Sequence, residues 1–533
     1  MRLMMSLIEA VLIITGAGSP EELGESEMER FETLAAHPVC INLASPARMR
    51  SCGLFSDYQI ASLQDYISRT GDILSATELG TIPGFPPELA AALTHFVSFE
   101  SHSPAGKRRS GRLRQDAMAR AIVKESGLSY AAKYHLEYGE SAELYLSDKE
   151  NLTASAVIYG KRPWKTVLGD FNTRFGQGLL QWSGFSMSGF PSASSFSRNA
   201  SGFSGTGSFS PSHRGLALDY SGRRFHLGGG VTTDGGILGT ANYLGRSGSI
   251  GLNAISNAGK NGLSLDWKKG FGHLSTFGEA AWADGAAVLA GATWTPAYKT
   301  SASILLRYYS PSYSAAGAGA VRSSTKVRDE TGIAAGFARK WLDCTVDMAI
   351  HPEKRRLRKS NYQQFKSVVN ASPSFEWGSW ALNPAIRWTE RMQLSPVGDA
   401  YAAVWRHDLR VDLKASRGPL NGCLRLNGLQ TANYKPGGLA YLELGYKTAS
   451  DTSRFQAAVY LRGTICDTPD WASRIYSYER DLPGCFTVPA WYGKKKGLSL
   501  IAGISYQCRR CRQRLYFRAS TNDIKLQYQI WIW

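Results

Sequence analysis

The sequence predicts an α+β protein in which a small all-α domain is followed by a large antiparallel transmembrane β-barrel of roughly 20–26 strands. Polar and apolar residues alternate from about residue 130 to residue 533, which is the period of a β-strand. The chain also contains 55 glycines, 25 tyrosines and 14 tryptophans, a composition typical of a turn-rich barrel with aromatic girdles. Its last residues alternate cleanly and end on Trp533, which favours a closing strand.

The N-terminal residues 1–18 are predicted to be a secretory signal. Arg2 precedes an apolar run that ends in small residues. Because Glu9 interrupts this run, a buried amphipathic helix is the alternative. The next residues, 19–38, are acidic and predict a helical segment.

A compact unit of short helices is predicted at residues 39–99. Ser45 and Ser56 are suited to cap two of its helices, and Pro46 fits the first turn after Ser45. The segments INLASPARM, YISRTGDILSATEL and IPGFPPELAAAL make the unit resemble the tandem helix-hairpin-helix domain of competence-type DNA-binding proteins. The resemblance implies that backbone N–H groups of the hairpins bind DNA phosphates.

The candidate DNA contacts that this resemblance implies in the hairpins are Gly53, Gly84 and Phe85. The first hairpin keeps one glycine, and the second has Pro86, which has no N–H, where its second glycine belongs. The unit carries three arginines against five acidic residues, a poor match for a polyanion. Docking of another envelope protein is therefore an open alternative.

Residues 100–129 are predicted to be a basic linker. They follow residues 1–99, whose five basic and twelve acidic residues give a formal charge of −7, whereas the whole chain has +18. The linker is interpreted either as a tether in solvent or on anionic headgroups, or as an arm that binds phosphates. Its candidate DNA contacts are Lys107, Arg108, Arg109, Arg112 and Arg114.

The clearest strand of the predicted barrel, residues 130–533, is the segment 408–414. Leu409, Val411 and Leu413 alternate there with charged residues. In a transmembrane barrel, such a strand places apolar side chains in lipid and charged ones in a wet lumen. A soluble all-β protein such as a propeller is the alternative.

A Ser-, Gly- and Phe-rich segment, 183–212, interrupts the alternation and is too long for a hairpin turn. We expect it to fold inward as a plug, because its Phe side chains need a surface to pack against. A disordered loop is the alternative.

Two motifs carry a wider resemblance: LGDFNTRFGQGLLQWSGFS, from residue 168, and IYSYERDLPGCFTVPAWYGKKKGL, from residue 475. With the helical unit and the closing strand, they resemble a large family of Bacteroidetes helix-hairpin-helix domain-containing proteins. The resemblance spans residues 39–533 and implies an outer-membrane barrel with a periplasmic helical domain, inserted by the barrel-insertion machinery. Polar side chains of the motifs are candidates for a lumenal network, or for holding strands in register: Asp170, Arg174, Gln177, Glu479 and Arg480.

The sequence carries no complete catalytic or metal-binding signature. The sequence contains no HExxH, P-loop or Ser/His/Asp arrangement, and its nine histidines are isolated. Cys508-Arg-Arg-Cys511 has the spacing of half a zinc site without a second half. The sequence therefore predicts a protein that is not an enzyme and has no cofactor or metal.

These observations favour a protein that binds or guides DNA at the outer membrane during uptake. A structural or assembly component of an envelope complex is the alternative. The expected partners are outer-membrane lipid, DNA without sequence specificity, or another envelope protein.

Overall fold

The computed structural model consists of a helical N-terminal unit and a closed β-barrel. The residues outside its description are 1–6, 18–19, 24, 101–112, 140, 161–162, 185–195, 223, 246, 258, 298–299, 353–360, 398–399, 449–453 and 533. Four of the candidate DNA contacts, Lys107, Arg108, Arg109 and Arg112, lie in one of these segments.

Six α-helices of the described residues precede the barrel. Their bounds are Leu7–Thr15 (α1), Glu25–Ala36 (α2), Pro46–Ser51 (α3), Asp57–Thr70 (α4), Ala76–Leu79 (α5) and Pro87–Leu93 (α6). Ser45 and Ser56 cap α3 and α4, as predicted, by accepting backbone N–H groups. A parallel pair, Val39–Cys40 (β1) with Val97–Ser98 (β2), joins the two ends of the segment that contains α3 to α6. None of the described helices is long and apolar enough to cross a membrane.

The helical unit has an apolar core of its own. Leu63, Ile73 and Leu93 are fully buried in it. Val11 of α1 is also fully buried in this core. The assignment of residues 1–18 as a secretory signal stays a prediction, and residues 1–6 and 18 lie outside the described residues. The structure does not show a separate all-α helix-hairpin-helix domain, because the unit includes the β1–β2 pair and lies against the barrel wall, as described below.

The barrel sheet contains twenty-six strands of the described residues. Its first fourteen are Leu113–Lys124 (β3), Gly127–Tyr138 (β4), Ala142–Asp148 (β5), Thr153–Tyr159 (β6), Trp164–Arg174 (β7), Gly202–Gly205 (β8), His213–Ser221 (β9), Phe225–Thr232 (β10), Ile237–Leu244 (β11), Gly248–Asn257 (β12), Lys260–Phe271 (β13), Leu274–Trp282 (β14), Ala286–Ala297 (β15) and Thr300–Tyr309 (β16). The remaining strands of the chain are Glu330–Arg339 (β17), Leu342–Pro352 (β18), Asn361–Ala371 (β19), Phe375–Trp377 (β20), Trp380–Val397 (β21), Ala400–Arg417 (β22), Leu420–Thr431 (β23), Gly437–Lys447 (β24), Phe455–Thr468 (β25), Ile475–Tyr476 (β26), Ala490–Trp491 (β27), Gly493–Gln507 (β28), Cys511–Ser520 (β29) and Asp523–Ile532 (β30), of which β26 and β27 form a separate pair.

The ring closes where the last strand, β30, pairs antiparallel with the first, β3, from Gln115↔Ile532 to Lys124↔Asp523. Since β7 pairs directly with β9 and β19 with β21, the short strands β8 and β20 are additions to a wall of twenty-four strands. This number lies within the predicted range of roughly 20–26. The wall begins at Leu113 and not near residue 130, so the second half of the expected linker is the strand β3.

The two faces of the wall differ in polarity. On β13, Leu263 and Leu265 are 52% and 49% exposed, whereas Ser264 and Asp266 are 2% and 7% exposed. Because side chains alternate along a strand, the apolar ones here point outward and the polar ones point into the lumen. This arrangement is the one predicted from the segment 408–414, and it is typical of a barrel surrounded by lipid.

Candidate functional site: the plug in the barrel lumen

The helical unit, residues 7–99, lies inside the barrel against lumenal side chains such as Glu137 and Arg410, and we call it the plug. Helix α3 packs beside β8 and β9. Three further segments fold inward from the wall: a first inner loop (described residues 175–184 and 196–212), a second inner loop (310–329) and a strap (469–492) that connects β25 to β28. The candidate functional site is the set of contacts among these segments and the lumenal wall.

Two arginines of α3 hold one side of the plug. The Arg48 guanidinium lies 2.8 Å from the Glu137 carboxylate on β4 and 3.0 Å from the Glu143 carboxylate on β5, and all three side chains are buried. Arg50 donates to the Ser221 hydroxyl on β9 at 2.9 Å. A guanidinium placed between two carboxylates forms charge-assisted hydrogen bonds of defined geometry, so these contacts fix the orientation of the plug.

A second contact involves Glu21, in the turn before α2. Its two carboxylate oxygens lie 3.0 Å from Arg410 Nη1 and 2.5 Å from Arg425 Nη1, both on the wall. The Tyr478 N–H of the strap donates to it at 3.0 Å. Burial alone would raise the pKa of Glu21, but the two arginines and the N–H hold it well below its usual range. Glu21 is therefore ionised at neutral pH and joins plug, wall and strap.

The strap is attached to the wall by buried charges. Arg462 on β25 donates to the Tyr478 carbonyl at 2.7 Å. Arg518 on β29 lies 2.8 Å from the Glu479 carboxylate of the strap. Lys525 on β30 lies 2.6 Å from the Asp481 carboxylate, also on the strap. The motif from residue 475 thus supplies most of the strap, and its charged residues Glu479, Arg480 and Asp481 each lie against an opposite charge on the wall.

The strap also contacts the plug. The Gly484 N–H donates to the Glu32 carboxylate of α2, and Arg120 of β3 donates to the Gly484 carbonyl at 3.1 Å. Burial raises the pKa of Glu32 to about 8, although the N–H and the charges of Arg120 and Lys133 favour the carboxylate. Glu32 is therefore expected to be largely protonated at neutral pH while the plug is docked.

Docking of the plug is expected to weaken on the alkaline side because of Glu32. The pKa of Glu32 is about 8 in the structure, against an ordinary value of 4.5. Its contribution to the free energy of unfolding is therefore fully present below about pH 4.5 and is lost as the pH rises through 8. The melting temperature of wild type should therefore fall relative to that of Glu32→Gln between pH 6 and 9. Glu88→Gln, an exposed change on α6, is the matched control and should run parallel to wild type. If the melting temperatures of all three proteins change with pH in parallel, Glu32 does not have a raised pKa in the folded protein.

The two inner loops are held together at the motif from residue 168. The buried Glu279 carboxylate accepts the N–H groups of Gln177 and Leu179 at 2.7 and 3.0 Å. The Tyr313 hydroxyl of the second inner loop donates to the Leu179 carbonyl at 2.7 Å. A Cβ at Gly176 would lie 2.7 Å from the Glu279 carboxyl carbon, and φ there is +52°, so this close approach requires glycine.

A histidine–carboxylate cluster lies between plug and wall. His37 follows α2, and Asp116 and His135 face each other across β3 and β4. Asp116 Oδ1 contacts His37 Nε2 and lies 3.1 Å from His135 Nδ1. Glu137 Oε2 lies 3.7 Å from His37 Nδ1. The cluster lines a cavity of 620 Å³ at the plug–wall boundary.

The described hairpin residues are placed as follows. The Gly53 N–H donates to the Arg50 carbonyl, and this hairpin faces the wall, with Arg174 near Gly53. Gly84 is exposed and its carbonyl accepts from Gln59, whereas the Phe85 side chain is buried and its N–H donates within the hairpin. The wall residue Arg114 lies 3.5 Å from Glu100. A DNA-binding role for these residues stays a prediction.

The candidate lumen residues do not form one network. The buried Asp170 is paired with Arg214 at 2.8 Å, and Arg174 donates to the Ser183 carbonyl at 3.0 Å. The Gln177 amide oxygen accepts the Arg198 N–H at 2.9 Å. Glu479 and Arg480 belong to the strap, and Arg480 lies 3.0 Å from Glu443 on β24. Each residue holds an inward-folded segment or a neighbouring strand.

Sequence reasoning missed the residues that connect plug and wall, among them His37, Asp116, His135, Glu21 and Glu32. The histidines are isolated along the chain, and only the fold brings two of them together. The usable signal was the alternation of β3 and β4, which places Asp116 and His135 on the same lumenal face.

No protein-family model and no curated protein matches the chain. Among solved structures, it is similar to the P pilus usher (PapC) translocation pore, with 10% identity, 79% of this chain and 98% of that chain covered, and a TM-score of 0.35. It is also similar to an E. coli P pilus tip assembly intermediate, PapC-PapD-PapK-PapG (11% identity, 80% and 62% covered, TM-score 0.45), and to Pseudomonas aeruginosa OpdL (8% identity, 79% and 97% covered, TM-score 0.29). These values are too low to carry an argument about function.

Proposed function

We propose that this chain is an outer-membrane channel whose lumen is closed at rest by its plug and conducts when the plug moves. Closed barrels and helices are the structures that satisfy every backbone hydrogen bond in lipid. The outward apolar face and the ring without free edges support placement in a membrane. Barrels of more than about 20 strands enclose a lumen wide enough to need a plug.

The observation that carries this proposal is the contrast between the interior of the plug and its boundary. Among the described residues, the apolar core of the plug takes its members from residues 7–99, with Phe486 of the strap as the single exception. The contacts of the plug with the wall are polar: Arg48 with Glu137, Glu21 with Arg410, and Glu29 with Lys133. A body with its own core and a polar boundary can move without exposing that core.

The cargo is not assigned by these contacts. DNA guidance rests on the helix-hairpin-helix resemblance and on the linker bases. In the described part of the chain, the Gly53 and Phe85 N–H groups already donate to protein carbonyls. The structure therefore adds no support for DNA, and the channel proposal is made for a solute or polymer of unspecified kind.

The test is charge reversal at the Glu21 contact. Glu21→Arg places a third cation beside Arg410 and Arg425, and breaking a buried pair costs roughly 3–5 kcal/mol. In planar lipid bilayers, wild type should be closed for most of the recording, and the variant should be open at least about tenfold more of the time, since 1.4 kcal/mol corresponds to a factor of ten.

The matched control is Asp65→Arg, which changes the charge of the plug equally at an exposed position on α4. It should conduct like wild type. A wild-type channel that is fully open, or equal opening by both variants, would show that the plug contact at Glu21 does not close the pore.

A further inference from the structure

The histidine–carboxylate cluster has the composition of a metal site. It combines two imidazoles with one carboxylate. Imidazole nitrogen binds zinc and other first-row transition metals well, whereas calcium and magnesium prefer oxygen ligands. Asp116 and His135 are directly opposite each other on adjacent wall strands, so the wall holds them at fixed spacing. His37 reaches the same point from the plug.

The spacing fits a metal ion with small side-chain rotations. One ligand atom of each residue lies within 4.8 Å of the others. Ligand atoms about 2.0–2.1 Å from a tetrahedral zinc ion lie roughly 3.3–3.4 Å apart. His135 Nδ1 is already 3.1 Å from Asp116 Oδ1, and the two imidazole rings are 4.1 Å apart between centroids.

The surroundings orient the three side chains. Glu137 faces Nδ1 of His37 at 3.7 Å, on the opposite side of the ring from Asp116. Glu137 is itself held by Arg48 at 2.8 Å. A carboxylate behind a ligating histidine fixes the ring and raises its basicity. The ring of His135 stacks on Tyr145, with centroids 4.3 Å apart and planes 16° apart.

One unsatisfied atom points to a ligand. His135 Nε2 is buried and has no hydrogen-bond partner among the described residues. His135 is only 6% exposed, and leaving a buried polar atom without a partner is costly. Glu137 and Glu143 lie 2.8 and 3.0 Å from the guanidinium of Arg48, and Asp116 contacts His37. Three carboxylates therefore surround the two imidazoles and one guanidinium, and this local charge favours a cation.

We propose that His37, Asp116 and His135 bind a divalent transition-metal ion, zinc in the first instance, that fastens the plug to the wall. Three protein ligands leave a fourth position for water from the adjoining cavity. Glu137 is a positioning residue and not a ligand. The site stands on its geometry alone, and only its effect on conductance rests on the channel proposed above.

The test is zinc binding by the full-length protein in detergent. After treatment with a chelator, the protein is titrated with ZnCl₂, and bound metal is measured by mass spectrometry after gel filtration. Wild type should retain one equivalent. His37→Ala, Asp116→Asn and His135→Ala should each lose it, and Glu137→Gln should bind about 10–100-fold more weakly. Unchanged heat-modifiable migration on gels shows that each variant still forms the barrel.

The matched control is His273→Ala, an exposed histidine in the turn between β13 and β14, which should bind zinc like wild type. Absence of binding by wild type, as expected if a protonated His37 simply bridges the two carboxylates, would overturn the proposal. Equal binding by all variants would also overturn it. Zinc should also lower the conductance of wild type in planar bilayers. If wild type binds zinc but its conductance does not change, the result contradicts the proposed channel and still supports the metal site.

Discussion

A chain that lacks residues 1–99, and with them the plug, is expected to form a continuously open pore. The diameter of a barrel grows with its number of strands, and porins of about 16–18 strands already leave an aqueous channel. This wall has twenty-four strands, and the plug contacts it at β4, β5, β9, β22 and β23. Removing the plug should therefore expose a water-filled lumen narrowed only by the strap and the inner loops.

The measurement is single-channel conductance of residues 100–533, exported behind a standard outer-membrane leader. It should exceed that of wild type severalfold, and cells that carry it should become sensitive to large antibiotics. Asp65→Arg, which leaves the plug in place, is the control and should behave as wild type. If the truncated chain forms a heat-modifiable barrel but conducts no more than the intact protein, the plug is not the gate.

The second large effect is expected from Arg518→Met. Arg518 is 1% exposed and lies 2.8 Å from Glu479, 3.7 Å from Asp481 and in contact with Asp523. Without it, Lys525 remains paired with Asp481 and Asp523, and Glu479 loses the cation with which it forms an ion pair. Breaking a buried ion pair from one side costs roughly 3–5 kcal/mol, because the remaining charges stay buried without a counter-ion.

The strap should therefore detach from the wall in Arg518→Met. In a background in which Cys485 is the single cysteine, maleimide labelling of this strap residue should accelerate, and the melting temperature should fall. Arg509→Met, in the exposed turn before β29, is the matched control and should change neither quantity. Adding Glu479→Gln should restore part of the loss, because it removes one of the uncompensated charges. A labelling rate equal to that of wild type would mean that the strap is held by other contacts.

The strands of the wall were predictable because the alternation of apolar and polar residues along each strand is visible in a short stretch of sequence. Along the segment 408–414, each apolar side chain is followed by a charged one, and alternation alone determines which of them faces lipid. The strand β3 was missed because its local alternation of apolar and polar residues is weak. Its outward positions include Ala117, Ala119 and Ala121, which carry little hydrophobic signal, while its bases Arg114 and Arg120 made it resemble a linker.

The plug could not be placed from the sequence. Its helices were recognisable from N-caps such as Ser56, but their docking depends on pairs like Arg48 with Glu137 and Glu21 with Arg425, which are far apart in the chain. Nothing local distinguishes a charge that meets a partner in a lumen from one that is solvated at a surface. The Ser-, Gly- and Phe-rich segment was expected to be a plug, with a disordered loop as the alternative. Phe196 and Phe203 are buried in its described part, and its role as a plug stays a prediction.

The seam between β3 and β30 imposes an order on biogenesis. The two strands that shut the ring come from opposite ends of the wall, so this pairing has the longest loop to close and should form last. The plug is joined to β3 and has a core of its own, which lets it fold while the ring is still open. We therefore expect the nascent wall to assemble around a prefolded plug, which would keep the bilayer sealed from the moment of insertion.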